Sequence, residues 1–320
     1  MAREPTRHPC APCQRPWTRA IAQPRSISIV EDSRLIVGAA TDPGPVREAN
    51  EDTVYHDVVA NPIAGDLLVL AVADGMGGYQ RGEVASSMAV DALRDRFTTA
   101  DTSDVVVLLK QAFRQANESI FNGGSAAGEH NMMGTTLVAG VVKDMDLAIG
   151  NIGDSRAYLV RARILNQITN DHSLVAEQVA MGAMTHDEAR GSHHKNIITR
   201  ALGHRERVDV DIFELTLLPD DRLLFSTDGL HDHLEDDEMT TILLTMSPED
   251  AAKEMVDRAI RAGSTDNVTA LCVWAAPVSV LDAPPAAAPA EARMNLLLTA
   301  LVLLGLVIFI AIVGYIVLAT

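Results

Sequence analysis

Residues 67–78 read LLVLAVADGMGG, and this stretch predicts the centre of the fold. Its first seven residues are apolar without alternation, which is typical of a strand that is buried on both faces. Glycines stand at positions 75, 77 and 78, and glycine is a poor residue with which to open a helix, so a strand is favoured over a core helix. Asp74 therefore stands where a buried strand breaks into a loop, and a carboxylate there requires a positive partner.

Acidic residues recur at the ends of other predicted strands. They are spread over more than 200 residues of the chain: Glu51 with Asp52, Asp74, Asp154, Asp228 and Asp266. Clusters of carboxylate oxygens suit hard divalent cations such as Mg²⁺ and Mn²⁺. A pair of such ions lowers the pKa of a bridging water and directs it at phosphorus. The pattern is consistent with a site of this kind, assembled from distant strands.

Eight short motifs occur in a characteristic order. They are TDPGPVREANED at 41–52, DGMGG at 74–78, GTT at 134–136, GDSR at 153–156, TNDHS at 169–173, ITRALG at 198–203, STDG at 226–229 and DN at 266–267. Each motif is weak alone, but eight at suitable spacings are highly specific. On these motifs, residues 35–274 resemble the metal-dependent Ser/Thr protein phosphatases of the PP2C (PPM) type, in their bacterial form.

The resemblance implies an α+β fold, a PP2C-like four-layer αββα sandwich with two central antiparallel sheets and helices outside. Hydrophobic periodicity predicts helices over 83–97 and 104–121, separated from the next strand by a glycine-rich loop over 122–134. Strands are predicted at 35–41, 135–142, 146–151, 156–160, 211–217 and 268–274. Ser247 is expected to cap a helix that ends at Gly263.

The same resemblance assigns roles to individual residues. Asp74 bridges two ions of Mn²⁺ or Mg²⁺; Asp228 and Asp266 complete one ion, and Glu51 with the Gly75 carbonyl completes the other. The remaining roles go to Arg47, which binds the substrate phosphate, to Asp154, which holds a third ion, and to Asp52 and Asn267, which stand behind the metal ligands, Asp52 holding metal-bound water.

The implied reaction is hydrolysis of phosphoserine and phosphothreonine in proteins by water that bridges the two ions. One residue departs from the eukaryotic pattern, in which a histidine two residues after the bridging Asp is the proposed acid for the leaving oxygen. Met76 occupies that position here and has no proton to donate. A metal-bound water would have to protonate the leaving group, so the identity of the acid stays open.

Histidines elsewhere are interpreted as structural. The segment Asp171-His172-Ser173 opens a helix that Asp171 or Ser173 can cap, and a structural role for His172 is favoured over general acid catalysis. Residues 174–197 resemble the small helical insert, or flap, beside the active site of the family. Its histidines at 186, 193 and 194 are expected to be exposed or to pack on helices and not to bind a transition metal.

Charge and cysteine content exclude some classes of protein. The net charge is −17 with a pI near 4.9, which argues against nucleic acid as a partner. Cys10 and Cys13 have the spacing of a metal or redox motif, but there is no second pair to complete a zinc site, and three cysteines predict no disulfide framework. Cys272 lies in an apolar strand and is expected to be core.

Four segments are predicted along the chain. Residues 1–30 form a disordered arm with five Arg and one Glu, for which contact with anionic lipid or an acidic partner is the alternative. The phosphatase domain spans 31–276, an Ala/Pro linker 277–293, and a transmembrane helix 294–320, because about 25 residues there are apolar and uncharged. Arg293 and the basic arm favour a cytoplasmic catalytic domain on a single-pass membrane protein.

The expected partners are phosphorylated proteins, the targets of a bacterial Ser/Thr kinase, and the expected state is a monomer. Two other functions are compatible with part of the pattern. A membrane-tethered pseudophosphatase would bind phosphoproteins without turnover, but it predicts missing metal carboxylates, and none is missing. A calcium sensor would require clustered ligands such as D-x-D-x-D-G, which the chain lacks.

Overall fold

The computed structural model describes residues 28–30, 33–77, 81–126 and 133–277. Within these ranges the first elements are β1 (Ser28–Val30), β2 (Ser33–Asp42), β3 (Asp52–Asn61), β4 (Gly65–Met76), α1 (Arg81–Thr98), α2 (Val105–Ala126), β5 (Gly134–Thr135), β6 (Leu137–Lys143) and β7 (Asp146–Ile152). They are followed by β8 (Arg156–Arg161), β9 (Ile164–Gln167), α3 (Leu174–Ala180), α4 (His186–Arg190), β10 (Asp211–Thr216), β11 (Arg222–Ser226), α5 (Asp228–His231), α6 (Asp236–Thr245), α7 (Pro248–Arg261) and β12 (Val268–Pro277).

The described strands form two antiparallel sheets of six strands each. One sheet has the order β1-β2-β12-β11-β8-β9, and the other has the order β10-β7-β6-β4-β3, with β5 paired to β4. An apolar layer that includes Leu70 and Phe225 lies between the sheets. Helices α1 and α2 bury Phe97 and Phe113 on one outer face, while α6 and α7 cover the other, where Met255 is buried. The predicted four-layer αββα sandwich is confirmed.

Strand β4 is buried on both faces, as its apolar run predicts. Residues 67, 69, 71 and 73 face the core under α1 and α2, and residues 68, 70 and 72 face the layer between the sheets. The strand does not end at Asp74, however, because Gly75 and Met76 continue it and pair with β5. The predicted break at Asp74 is therefore wrong by two residues, and Thr135 and Thr136 hold the continuation through hydrogen bonds to Asp74.

Other boundaries differ where tertiary contacts outweigh local sequence. The predicted loop at 122–134 is wrong in its first part, because α2 continues to Ala126 through Gly123, where a Cβ would meet Met133 at 2.7 Å. The predicted strand at 135–142 is two strands, interrupted at Thr136. Strands β1 and β9 were not predicted, and β1 falls inside the segment 1–30.

Several local predictions are confirmed. Ser173 caps α3 by accepting a hydrogen bond from Ala176 N at 3.3 Å, and Ser247 caps α7 by accepting one from Asp250 N. Gly263 follows α7 with a φ of 102°, the left-handed conformation expected after a helix. Cys272 is buried in β12, and burial raises the pKa of its thiol to about 12.

The predicted arm, linker and transmembrane helix lie largely or wholly outside the described residues, as do Cys10 and Cys13. Within residues 28–30, 33–77, 81–126 and 133–277, no helix has the length and apolar character needed to cross a bilayer. Residues 174–197 contain the short helices α3 and α4, and His193 and His194 in this segment are exposed.

Candidate metal centre

The acidic strand-end residues converge at one end of the sandwich. Asp52 and Asp74 are cross-strand partners in β3 and β4, Asp228 begins α5 directly after β11, and Asp266 immediately precedes the turn into β12. Burial raises the pKa of Asp74 well above its usual range, and the charges of Asp52, Asp228, Asp154 and Asp266 raise it further. Thr227, which precedes Asp228, hydrogen-bonds to Asp52. Asn267, which follows Asp266, accepts a hydrogen bond from Glu51 N, so the fold brings the segments that carry these carboxyl groups together.

The carboxylate of Asp52 is held by hydrogen bonds from two threonines. Its Oδ2 accepts hydrogen bonds from Thr269 Oγ1 at 2.6 Å and from Thr227 Oγ1 at 3.0 Å. Its Oδ1 is buried and has no hydrogen-bond partner among the described residues. Burial raises the pKa of Asp52 to about 7, although the two threonine hydrogen bonds oppose this rise.

Glu51 immediately precedes β3 and packs beside the start of α1, where Gly75 of β4 and Gly82 of α1 permit a close approach. A Cβ on Gly75 would lie 2.1 Å from Gly82 O, and a Cβ on Gly82 would lie 2.6 Å from Glu51 Cδ. Gly75 N also donates to Glu51 O at 3.1 Å. Burial raises the pKa of the Glu51 carboxyl, and a hydrogen bond from the Gly82 backbone N–H opposes the rise. The Gly75 peptide and the Glu51 carboxylate are thus held side by side.

Asn267 links the loop before Glu51 to the start of β12. Its Oδ1 accepts a hydrogen bond from Glu51 N at 2.8 Å, and its Nδ2 donates to the carbonyl oxygens of Pro43 and Ala49, each at 3.0 Å. This one side chain therefore holds the loop that carries Arg47 and Glu51 against the start of β12.

Arg47 points at the carboxylate cluster. Its Nη2 donates to Asp266 Oδ2 at 2.7 Å, and its side chain is 51% exposed. Arg47, the predicted phosphate-binding residue, thus pairs with one carboxylate oxygen of Asp266, a predicted metal ligand. Both groups remain open to solvent, so each is accessible to a ligand from outside.

Asp154 lies in the short connection between β7 and β8. The carboxyl is buried, and its Oδ1 has no hydrogen-bond partner within the described part of the chain. Burial raises its pKa well above the usual range, and the charges of Asp228 and Asp171 contribute. An unpartnered buried carboxylate oxygen is costly in a protein interior, and a cation is the ligand that suits it.

His172 is engaged on both ring nitrogens. Its Nδ1 accepts a hydrogen bond from Gly153 N at 3.0 Å, and its Nε2 lies 3.1 Å from Asp211 Oδ2. Arg200 pairs with the same Asp211 at 2.6 Å. The ring ties three segments of backbone together, which supports the structural interpretation and leaves no nitrogen for acid catalysis.

The donor set fits hard cations, since it consists of carboxylate and carbonyl oxygens. Among the described residues, however, no three His, Cys, Asp or Glu side chains stand in ready-made metal-binding geometry.

A family profile described as protein phosphatase 2C matches residues 48–269, which include all the carboxylates of this cluster. The chain belongs to the protein phosphatase 2C family. The serine/threonine phosphatase stp of Listeria monocytogenes is 37% identical over 240 residues, covering 73% of this chain and 93% of the relative. PstP of Mycobacterium tuberculosis is 36% identical over 236 residues, covering 73% of this chain but 44% of PstP.

Solved structures agree with this assignment. A serine/threonine phosphatase of S. agalactiae aligns with a TM-score of 0.69 at 30% identity, covering 75% of this chain and 99% of that one. The catalytic domain of PstP in complex with two manganese ions aligns with a TM-score of 0.66 at 34% identity, covering 76% and 98%. This PP2C member is therefore a protein serine/threonine phosphatase of the bacterial type.

Sequence reasoning missed several residues that shape the PP2C site. Thr227 and Thr269 hold Asp52, and Gly82 makes room for Glu51. Asp232 was given no role in the site from the sequence, but its charge adds to burial in raising the pKa of Asp228 to about 6. Its position four residues after Asp228 is the signal that was available, since residues i and i+4 share one face of a helix.

Proposed function

We propose that this protein hydrolyses phosphoserine and phosphothreonine in proteins with the help of bound Mn²⁺ or Mg²⁺. The observation that carries the proposal is the convergence of five carboxylates from distant parts of the chain, together with buried oxygens of Asp52 and Asp154 that lack partners among the described residues. Ionised carboxylates that lie close together repel one another and destabilise the folded protein unless cations bind between them.

The residues that would hold the ions are Asp74 between two of them, Asp228 and Asp266 on one, Glu51 and the Gly75 carbonyl on the other, and Asp154 on a third. When bound, the ions supply Lewis acidity and an activated water nucleophile at neutral pH. The PstP catalytic domain, whose structure contains two manganese ions, is similar over most of its length.

The chain's own residues orient substrate and ligands. Arg47 presents a guanidinium fork at the open edge of the carboxylate cluster, where it can exchange Asp266 for a phosphate group. Asp52, held by Thr227 and Thr269, keeps an acceptor directed into the site. Met76 offers no proton and His172 is engaged on both nitrogens, so neither protonates the leaving oxygen.

Phosphate release from a phosphothreonine peptide tests the assignment. The full chain, kept in solution with a mild detergent, would be assayed with Mn²⁺ and with EDTA beside Asp74→Asn. Asp66→Asn, an exposed change at the second residue of β4, is the matched control. We expect release that requires Mn²⁺ and disappears only in Asp74→Asn. Binding of phosphoproteins without release by the folded, metal-loaded wild type would instead indicate a pseudophosphatase.

The proposed location is the cytoplasmic face of a membrane, with the apolar segment 294–320 as anchor and targets of a Ser/Thr kinase as substrates. Strand β12 begins beside Asp266 and ends at Pro277, where the linker leaves, and ten residues at about 3.3 Å each separate the two ends by about 30 Å. Such an anchor would hold the site away from the bilayer. Deleting 294–320 should move the protein from the membrane fraction to the soluble fraction of the cell, with phosphatase activity retained.

A further inference from the structure

One ion pair connects residues 174–197, the flap, to the metal-site helix α5. Lys195 Nζ lies 2.7 Å from Asp232 Oδ2, and the two side chains are 37% and 25% exposed. Asp232 is the C-cap residue that follows α5, and its backbone N donates to Asp228 O at 3.0 Å. A flap residue is therefore bound one helical turn from a predicted metal ligand.

The positive charge of the Lys195 ammonium acts on the predicted metal ligand Asp228. Burial and the charge of Asp232 raise the pKa of Asp228, and the charge of Lys195 opposes that rise. The same ammonium lowers the pKa of His231 and His233 on this segment, where burial is the larger cause. Lys195 thus supplies positive charge at the edge of the carboxylate cluster and offsets part of its negative charge.

The flap has few other attachments at this edge. Its two ends are joined at the root by a bridge between Ser173 and Ile198 and by a hydrogen bond from Leu174 N to Ile197 O at 2.8 Å. A second pair, Arg190 with Glu235, is long at 3.6 Å and largely exposed. Pairs of that kind contribute little, so the Lys195 pair is the stronger of the two.

We propose that Lys195 is a positioning residue that holds the flap against Asp232 until a divalent cation binds between Asp154 and Asp228 and displaces the ammonium. The proposal rests on the metal-dependent function above. A divalent ion beside Asp228 attracts the Asp232 carboxylate and repels the ammonium, so metal loading and release of the flap are coupled. By the reciprocity of linked binding, loss of the Lys195 ammonium must favour both metal binding and release of the flap.

Hydrogen exchange of the full chain in detergent, with EDTA and across a Mn²⁺ titration, tests this coupling. In EDTA we expect Lys195→Gln to raise exchange in residues 174–197 by about fivefold, the value for an ion pair of this exposure. The weakest step of Mn²⁺ binding, followed by the electron paramagnetic resonance of free Mn²⁺, should tighten by about the same factor. Lys195→Arg should behave as wild type.

Arg190→Gln is the matched control, because it removes one flap charge from the exposed pair, and we expect it to change neither readout. Equal flap exchange in wild type and Lys195→Gln without metal would overturn the proposal. So would a Mn²⁺-induced rise in flap exchange of the same size in both proteins. Failure of the phosphatase assignment shows itself separately, as a wild type that binds Mn²⁺ and releases no phosphate.

Discussion

Arg47 Nη2 donates to Asp266 Oδ2 at 2.7 Å, so the predicted phosphate-binding residue and a predicted metal ligand neutralise each other. The pair is exposed, and pairs of this kind contribute at most about 1 kcal/mol. Both partners have stronger ligands available in a working phosphatase, a phosphate dianion for the guanidinium and a divalent cation for the carboxylate. The ion pair therefore keeps two site residues in position without binding them tightly.

Replacing Arg47 should separate these two roles. Arg47→Ala should lower kcat/KM for a phosphothreonine peptide by about 10- to 100-fold, because a charge-assisted hydrogen bond contributes about 1.5–3 kcal/mol. Mn²⁺ affinity should stay the same or increase, since Asp266 loses its competitor. Steady-state kinetics and Mn²⁺ titration measure the two effects. Arg94→Ala, an exposed change on α1, is the control, and weakened metal binding in Arg47→Ala would contradict the prediction.

Removing one charge from the carboxylate cluster should stabilise the metal-free protein. Burial and neighbouring charges raise the pKa of Asp228 to about 6, which means that its ionised form is disfavoured in the fold. Asp228→Asn should increase the unfolding free energy in EDTA by roughly 1–3 kcal/mol while abolishing activity.

Urea unfolding with and without Mn²⁺ checks this result, with the exposed Asp66→Asn as reference. The wild type should gain stability on adding Mn²⁺, and Asp228→Asn should gain much less. Destabilisation of the metal-free Asp228→Asn protein would show that the carboxylate serves a structural hydrogen bond and not a cation.

The stability of the metal-free protein should fall as pH rises. Burial raises the pKa of Asp52 to about 7 and of Asp228 to about 6, from an ordinary value of 3.8. Between about pH 4 and pH 7 the unfolded chain therefore releases protons that the folded state keeps, and the unfolding free energy decreases over this window. Stabilisation by Mn²⁺ should grow over the same window, because the ions bind the ionised carboxylates.

Unfolding free energies at pH 5, 6 and 7, in EDTA and in Mn²⁺, measure both trends. Buried histidines also titrate, so the comparison is made against Asp228→Asn, in which the fall with pH should be smaller. An identical pH slope in wild type and Asp228→Asn would count against a raised pKa at Asp228.

The glycine at the start of α1 should be required for the site. A Cβ on Gly82 would lie 2.6 Å from both Glu51 Cδ and Gly75 O, so Gly82→Ala must push the Glu51 carboxylate away. We expect a loss of about 1–3 kcal/mol in stability from this overpacking, together with weaker Mn²⁺ binding. Gly65→Asn, at the first residue of β4 with open space around its Cβ, is the control: its φ of 84° strains a side chain and should cost some stability, but Mn²⁺ affinity should stay unchanged. Retention of wild-type Mn²⁺ affinity in Gly82→Ala would refute the proposed position of Glu51.

Much of the architecture could be predicted because its signals are local. The uninterrupted apolar run of β4 requires two cores, and the structure supplies one under the helices and one between the sheets. Helix caps such as Ser247 act over three residues. Gly123 led to the wrong prediction of a loop, because glycine lowers intrinsic helix propensity. In the fold, its missing side chain makes room for Met133 to pack against α2.

Sequence patterns were sufficient to predict the chemistry of the site: oxygen ligands at the ends of strands, an arginine close to them in the chain, and Met76 where other members have a histidine. Which groups meet became visible in the three-dimensional fold alone: Arg47 pairs with Asp266, two threonines hold Asp52, and Lys195 reaches Asp232. The physical reason is distance along the chain. Residues 37 to 219 positions apart come within 3 Å only through sheet register and layer packing, which no local pattern encodes.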